Sequence, residues 1–301
     1  MRLASFSLNT PYFVLLMKNI ALIVISCFLA SFSAEAQTSY SLFWRSDSLQ
    51  VREIKTELTG QFNKVGHHGP AVENSHMALR IYFNDSGAID VYSKSGDKME
   101  LMDYLWYPSY EAQVAEGIGN DHYIVGKTVG LGGIALWDGN QIVRLKPTAG
   151  QSARVGSTKK GSFAEMTAYG VEYMSGTVDI CIRVDVMDHS RDAIVTATEL
   201  NGTKVQFVTG VNFHEGQETF IGEDYIAVWG LHTGDKSKLK VPVGAGLWFK
   251  PKDFCAPEKS NSMFRIISKP TKSIKTRIVS ASTKESELNT AEKFHAYMLQ
   301  K

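Results

Sequence analysis

Residues 67–83 read HHGPAVENSHMALRIYF, and the second half of this stretch predicts a β-strand. Apolar side chains recur at every second position from Met77 to Phe83, with polar or small residues between them. A period of two is typical of a strand with one buried and one solvated face. Gly69-Pro70 interrupts the chain just before it, as expected for a turn that leads into a strand.

The same stretch concentrates titratable and hydrogen-bonding side chains. These are His67, His68, Glu73, Asn74, His76, Arg80 and Tyr82. A simpler interpretation makes one histidine of the adjacent pair structural and lets Glu73 cap a turn. Such a density of ionisable groups, in a chain of nearly balanced charge, favours a functional cluster.

The overall composition excludes several classes of function. The 301 residues include 32 Lys and Arg against 31 Asp and Glu, for a formal net charge of +1. We therefore expect no binding to nucleic acid or to an anionic membrane surface through bulk charge. An anionic substrate would be recognised locally, by a few basic side chains in a cleft. Hydrophobic residues make up 44% of the chain, which is enough for a globular core.

The N-terminus predicts export. Met17-Lys18-Asn19 precedes an apolar run, Ile20–Phe32, and Ala34-Glu35-Ala36 offers a cleavage site. The run is too short to span a membrane as a helix. We therefore assign residues 1–36 to a signal peptide whose natural start is Met17, and we expect an exported, soluble, periplasmic protein. A lipoprotein is the alternative, because Val24-Ile25-Ser26-Cys27 fits a lipobox, but that motif would leave a very short apolar run.

Short strand-like segments fill most of the remaining chain. Gly, Asn and Asp separate them at the spacing of an all-β sandwich or barrel, and crossover helices are not apparent. The predicted strands are 49–58, 76–83, 88–92, 123–125, 133–137, 141–145, 163–173, 178–186, 193–199, 204–208, 225–229, 245–249 and 264–267. We therefore predict one large antiparallel β-sandwich domain over residues 37–301.

The C-terminus predicts a single helix. Asn289-Thr290-Ala291-Glu292 has the pattern of a capping box, and an apolar stripe runs from Leu288 to Met298. Residues 269–287 are rich in Ser, Thr and Lys, which predicts an extended or mobile connection before the helix.

Two motifs suggest a cofactor or a metal, but both are incomplete. Gly126-Lys127-Thr128 resembles the end of a phosphate-binding loop, yet Asp121 stands where its first glycine belongs. His214-Glu215 resembles the start of a zinc-protease helix, yet the second histidine is missing. Because no Cys/His spacing indicates zinc either, we predict no cofactor and assign no residue to a metal. A catalytic metal stays open as an alternative, since the chain has eight histidines. Cys181 and Cys255 would form a disulfide or remain as thiols.

Glycine-rich and aromatic segments are typical of carbohydrate sites. Residues 117–139 hold seven glycines, and dense glycines in a β protein mark bulges or a close approach of backbone to a ligand. Tryptophan and tyrosine faces stack on sugar rings, and polar neighbours bind the hydroxyls. The alternative for each tryptophan is a place in the core, and for Asp121 or Lys127 a solvated loop.

Several longer strings resemble one known family. HHGPAVEN, WYP, GNDHYIVGKTVGLGGIALWDG, FVTGVNFH and WGLH are similar to motifs of the domain of unknown function 4861 family of Bacteroidetes. The resemblance covers roughly residues 40–255. It implies a galactose-mutarotase-like supersandwich and a role in using pectin or ulvan. It also implies dehydration of the non-reducing-end uronic acid of acidic oligosaccharides to a 4,5-unsaturated sugar.

The resemblance transfers a set of motif positions to this chain. They are His67, His68, Glu73, Asn74, Arg80, Tyr107, Asp121, Lys127, Trp137, His214, Trp229 and His232. Eliminating water across C4–C5 needs a base for the proton beside the carboxylate and an acid for the departing hydroxyl. We assign the base to His67 or His68 and the acid to Tyr107 or His232.

The other transferred positions are predicted to bind the substrate. They are Asn74, Arg80, Lys127, Trp137, His214 and Trp229. The first three would hold or neutralise the carboxylate, and one tryptophan would lie beneath the sugar ring. Two alternatives remain open. A polysaccharide lyase would use the same groups to expel a glycosidic oxygen, and a non-catalytic glycan-binding protein would need only the aromatic and polar contacts.

Overall fold

The computed structural model of the chain describes residues 38–96, 98–105, 107–260 and 262–300. The predicted signal peptide, 1–36, and Trp106 of the WYP motif lie outside these residues. The strands are β1 Thr38–Ser41, β2 Glu53–Thr56, β3 Ala71–Asn74, β4 Ala78–Ile81, β5 Ile89–Tyr92, β6 Ala135–Trp137, β7 Ile142–Val143, β8 Gln151–Thr158, β9 Gly161–Tyr173, β10 Gly176–Met187, β11 Ala193–Glu199, β12 Phe207–Asn212, β13 Glu218–Ile221, β14 Tyr225–Gly230, β15 Val243–Trp248, β16 Glu258–Lys259, β17 Met263–Ile267 and β18 Ser273–Ser282. The α-helices are α1 Tyr110–Glu116 and α2 Ala291–Met298, and short 3-10 helices span Gly66–His68 and Pro251–Asp253.

The strands form three sheets. A four-stranded sheet has the order β1-β3-β4-β5, a nine-stranded sheet the order β13-β14-β15-β18-β11-β10-β9-β8-β2, and a five-stranded sheet the order β16-β17-β12-β6-β7. Neighbouring strands within each sheet pair antiparallel. The predicted all-β architecture, with large antiparallel sheets and a short C-terminal helix, is confirmed.

The two smaller sheets both pack against the nine-stranded sheet and share one hydrophobic core with it. The glycine-rich segment joins them, because Leu131 N donates to Ile89 O at 3.0 Å and Gly132 N donates to Gly210 O at 2.8 Å. Gly130 has a φ of 70°, and a Cβ there would lie 2.0 Å from the Ile89 carbonyl oxygen. Glycine at this position therefore lets the segment lie directly against β5.

Strand β4 shows the predicted alternation, but neither of its faces is solvated. Leu79 and Ile81 lie in the core shared with the nine-stranded sheet. Ala78 and Arg80, on the opposite face, are also buried. The prediction of a solvated second face is therefore wrong. The connection between β5 and β6 covers that face, and its Leu101 packs with Ala78.

Residues 269–287 contain strand β18, so the prediction of an extended or mobile connection is wrong there. β18 lies between β15 and β11 in the interior of the nine-stranded sheet. Ile274, Thr276 and Ile278 are buried at alternate positions. This period of two is obscured in the sequence by the surrounding Ser, Thr and Lys residues.

Other differences concern shorter elements. Residues 123–125 form no strand, and β12 runs from Phe207 to Asn212 rather than over 204–208. The strands β1, β3, β8, β13 and β16 and the helix α1 were not predicted. Cys181 and Cys255 are free thiols, and burial raises the pKa of the Cys181 thiol to about 11.

The predicted C-terminal helix is confirmed as α2. Thr290, rather than Asn289, caps it, because its hydroxyl accepts a hydrogen bond from Lys293 N at 3.3 Å. Phe294 and Met298 pack with Trp229 in a second hydrophobic cluster, on strand faces that point away from the main core. Among the described residues, no helix combines the length and the apolar character needed to cross a membrane.

Candidate active site

The site begins in the turn that leads from the 3-10 helix at Gly66–His68 into β3. His67 and His68 have φ angles of 53° and 62°, in the left-handed region that non-glycine residues rarely adopt. A Cβ at Gly69 would lie 1.9 Å from the Ile81 carbonyl oxygen, so only glycine fits between this turn and β4. Two consecutive strained residues persist only where the surrounding structure holds them, and such strain is concentrated at functional sites.

The imidazole rings of His67 and His68 lie in different surroundings. His67 is buried, its Nε2 donates to Leu101 O at 3.0 Å, and its ring meets Phe43 edge-on. Burial, with a further contribution from the Arg80 charge, lowers the pKa of His67 to about 3. His67 is therefore a neutral imidazole packed in the interior of the protein.

His68 is half-buried and stacks on Phe62, with ring centroids 4.0 Å apart. Its Nδ1 donates to Phe62 O at 3.1 Å, which leaves the lone pair of the neutral ring on Nε2. Burial lowers the pKa of His68, although the bond to Phe62 opposes this shift. Its ring centroid lies 6.1 Å from that of Tyr82 and 6.3 Å from that of Tyr107.

Arg80 lies at the centre of the adjoining polar network. Its Nη2 forms ion pairs with Asp90, which faces it across the β4–β5 pair, and with Asp121 at 3.0 Å. The guanidinium lies 5.5 Å from the centre of the Tyr107 ring. Although burial favours the neutral form, the two carboxylates raise the pKa of Arg80 above its ordinary value. Arg80 therefore stays charged in the interior.

A tyrosine hydroxyl donates to each of these carboxylates. Tyr82 donates to Asp90 at 2.9 Å, and Tyr107 donates to Asp121. Burial and the nearby carboxylates raise the pKa of both phenols, so both remain protonated. Burial also raises the pKa of Asp90, against the effect of Arg80. Tyr107 is 36% exposed and is the member of the network most open to solvent.

Two further histidines lie along the backbone that follows Asp121. Ile124 N donates to His232 Nδ1 at 3.1 Å, and His214 Nε2 donates to Ile124 O at 3.0 Å. The two rings have centroids 4.5 Å apart. Burial, with the neighbouring His214, lowers the pKa of His232 to about 3. The predicted His214 and His232 thus lie together, and the chain segment 121–124 links them to Arg80 and Tyr107.

Asp90, Asp235 and Arg45 were not among the predicted site residues. Asp90 is the buried partner of Arg80, and its position follows from the hairpin register that pairs the two residues. His122 Nδ1 faces Asp235 at 3.3 Å and Ser237 at 3.1 Å. Arg45 is exposed and lies close enough for its charge to lower the pKa of His68. No local sequence signal identifies Asp235 or Arg45.

Four predicted substrate-binding residues lie elsewhere. Asn74 is buried, with its amide nitrogen bonded to Ser190 O at 2.7 Å and its amide oxygen to the backbone N–H groups of His76 and Met77. Lys127 is exposed in a loop. Trp137, in β6, packs beneath the Arg265 guanidinium. β6 pairs with the start of β12, whereas Asn212 is the last residue of that strand. Trp229 is buried beneath α2. None of the four lines the His68–Tyr107 region in the described structure.

Glu73, another transferred position, is also structural. It is fully buried, pairs with Lys94 at 3.0 Å and accepts from the backbone of Glu100 and Leu101. It therefore anchors the connection that covers β4. Across the described ranges, no group of three or more His, Cys, Asp and Glu side chains is arranged to hold a metal ion.

Solved structures show distant likenesses to this chain. They include the 4-α-glucanotransferase of Thermococcus litoralis (11% identity, TM-score 0.34, 77% of this chain and 41% of that chain). A second is a predicted aldose 1-epimerase from Klebsiella pneumoniae (7% identity, TM-score 0.37, 86% of this chain and 94% of that chain). A third is a polysaccharide lyase (12% identity, TM-score 0.30, 74% of this chain and 34% of that chain). The chain thus spans less than half of the glucanotransferase and of the lyase. At these TM-scores the likenesses support no assignment of activity.

No curated protein matches the sequence. A family match, in contrast, extends over residues 28–301 and agrees with the resemblance in the HHGPAVEN and GNDHYIVGKTVGLGG strings. The chain belongs to the family described as Domain of unknown function (DUF4861).

Proposed function

We propose that the protein is a carbohydrate-active hydro-lyase that eliminates water across C4–C5 of the non-reducing-end uronic acid of acidic oligosaccharides. One observation carries this proposal. A neutral imidazole of defined tautomer, His68, lies beside a protonated phenol, Tyr107, with ring centroids 6.3 Å apart. Base and acid at this separation suit the removal of a proton and a hydroxyl from adjacent carbons of one sugar ring.

His68 is the base in this proposal. The proton on C5 is acidic only because the resulting negative charge spreads into the adjacent carboxylate. His68 Nε2 carries a lone pair, since Nδ1 donates to Phe62 O, and the lowered pKa keeps the ring neutral. As the C5–H bond breaks, its proton passes to Nε2 and its electron pair forms the C4=C5 double bond.

Tyr107 is the acid. Its raised pKa keeps the hydroxyl protonated until the C4–O4 bond breaks, when its proton passes to O4 and water departs. The resulting phenolate lies above the Arg80 guanidinium, which stabilises the negative charge. Transfer of the proton from His68 back to Tyr107, through solvent, restores both groups.

Arg80 acts as a positioning residue in this scheme. We give it this indirect role because it is 1% exposed and already paired with two carboxylates. It holds Asp121, which in turn holds the Tyr107 hydroxyl. We assign the contact with the substrate carboxylate to Arg45, the exposed cation whose charge acts on His68.

Mass spectrometry of acidic oligosaccharides after incubation tests the proposal. A dehydratase yields an intact oligosaccharide lighter by one water, whereas a polysaccharide lyase yields two shorter products. Binding without any product would identify a glycan-binding protein and would contradict the proposal. Tyr107→Phe is the matched inactive variant, because it removes only the acidic hydroxyl.

A further inference from the structure

A polar cleft, separate from the His68–Tyr107 region, lies at the start of β4, at the end opposite to Tyr82. It encloses about 490 Å³. Four separate segments supply its walls: the β3–β4 turn with Ser75 and His76, the chain after β5 with Ser95, the β10–β11 loop with Arg191, and the chain after β18 with Lys284 and Glu285. None of these residues belongs to the His68–Tyr107 region.

The walls of the cleft are tied to one another. The Asn74 amide nitrogen donates to Ser190 O at 2.7 Å, and its amide oxygen accepts from His76 N at 2.9 Å. The Ser282 hydroxyl donates to Lys94 O at 3.0 Å. These bonds join the β3–β4 turn to the β10–β11 loop, and the chain after β5 to the end of β18. The cleft is therefore formed before any ligand arrives. They also give the buried Asn74 a structural purpose.

Arg191 brings a hydrogen-bond donor to this cleft. Its side chain is 9% exposed, one terminal nitrogen is paired with Glu285, and the other donates to His76 Nδ1 at 2.9 Å. The Nε atom is buried and has no hydrogen-bond partner among the described residues, and the same holds for the Ser95 hydroxyl. A buried donor without a partner is costly, which favours a ligand that accepts these hydrogen bonds.

Lys284 adds a positive charge. Its Nζ donates to Ile118 O at 3.2 Å, and within the described part of the chain no carboxylate lies at ion-pair distance from it. Burial lowers the pKa of this ammonium. The other charges of the cleft are already matched, since Lys94 pairs with Glu73 and Glu285 pairs with Arg191. Glu287, which is 64% exposed at the rim, also pairs with Arg191, at 3.6 Å.

We propose that this cleft binds an oxyanion group, a carboxylate or a sulfate, between Lys284, Ser95 and Arg191. Charge-assisted hydrogen bonds from an ammonium and a guanidinium are the interactions that such groups form most strongly in proteins. The oxyanion arrives either as a free ion or as a substituent of a sugar. The proposal is independent of the activity assigned to His68 and Tyr107.

Calorimetric titration at constant ionic strength tests the proposal. The probes are sodium sulfate, sodium acetate, glucuronate and its neutral counterpart glucose. We expect saturable binding of sulfate or glucuronate, and a loss of affinity of roughly tenfold or more in Lys284→Met and in Ser95→Ala. Lys159→Met is the control, because it removes an exposed lysine outside the cleft. Its affinity should equal that of the unaltered protein.

The probes also distinguish the source of the oxyanion. Sulfate binding without glucuronate binding indicates a free inorganic ion, and glucuronate binding much tighter than acetate binding indicates an acidic sugar. Circular dichroism and thermal unfolding confirm that the variants fold. Folded variants that bind every probe as tightly as the unaltered protein would overturn the proposal, as would the absence of saturable binding by any anion.

Discussion

The imidazole of His68 and the phenol of Tyr107 lie side by side, with ring centroids 6.3 Å apart and ring planes inclined by 46°. His68 comes from the strained turn before β3, and Tyr107 from the connection between β5 and β6. The adjacent His67 takes no part in this pairing, because its ring is turned into the interior towards Phe43 and Leu101. The tertiary structure thus distinguishes two histidines that are consecutive in the sequence.

Replacing the two histidines separately should give different results. Asparagine tolerates the left-handed backbone, so His68→Asn and His67→Asn both suit the turn. We expect His68→Asn to lower the rate of product formation by roughly 10²–10⁴-fold, the usual contribution of a general base. His67→Asn should instead lower the thermal stability and retain activity where the protein is folded. The ultraviolet absorbance of the unsaturated product measures the rate, and equal rates for the two variants would contradict the assignment.

Tyr107→Phe should slow dehydration strongly without unfolding the protein. The side chain is 36% exposed, so the loss of one hydroxyl leaves its packing unchanged, whereas the loss of the acid lowers the rate by roughly 10²-fold or more. Tyr110→Phe is the control, since Tyr110 is a nearby tyrosine, 40% exposed, outside the network. A fully active Tyr107→Phe variant would remove Tyr107 from the mechanism.

Arg45→Met should raise KM more than it lowers kcat. An exposed cation that holds the substrate carboxylate stabilises the bound ground state as well as the transition state. Its loss therefore weakens substrate binding more than it slows the chemical step. Initial rates over a range of substrate concentrations separate the two constants. Lys64→Met, at another exposed cation of the same region, provides the control. An unchanged KM in Arg45→Met would show that another group holds the carboxylate.

Arg80→Met should be strongly destabilising. It leaves the fully buried Asp90 without its ionic partner, and breaking one half of a buried pair costs roughly 3–5 kcal/mol. Arg154→Met breaks a pair with Glu165 in which the arginine side chain is 53% exposed, and this change should cost about 0–1 kcal/mol. Urea unfolding of both variants measures the difference. Similar costs would mean that the Arg80 network is not structurally important.

Acid should destabilise the folded protein in a defined range of pH. Burial lowers the pKa of His67 and of His232 from 6.5 to about 3, so between these values the unfolded chain binds more protons than the folded protein. The free energy of unfolding therefore decreases as the pH falls from 6.5 towards 3, by up to about 1.4 kcal/mol per pH unit for each histidine. Above pH 6.5 neither residue contributes to the pH dependence. Urea unfolding at several pH values tests this, and His67→Asn should show a shallower decrease.

The sequence alone determined those features that depend on local patterns. The alternation from Met77 to Phe83 predicted β4, because side chains of a strand point in opposite directions at successive positions. The polar and apolar spacing near Thr290 predicted α2 for a similar reason. The motif strings identified the family and included His68, Tyr107, His214 and His232 among the candidates. The signal peptide remains a prediction.

Only the tertiary structure decided how these candidates are arranged. The second face of β4 is buried because a distant connection folds over it, and this makes Arg80 the centre of an ion-pair network rather than an exposed ligand. Trp229 is buried because α2 packs on it. The Asn74 side chain is hydrogen-bonded to Ser190 O in the wall of the other cleft. Sequence patterns report which face of an element a residue occupies. They contain no information about which remote segment covers that face, since this depends on packing between parts of the chain that are far apart in sequence.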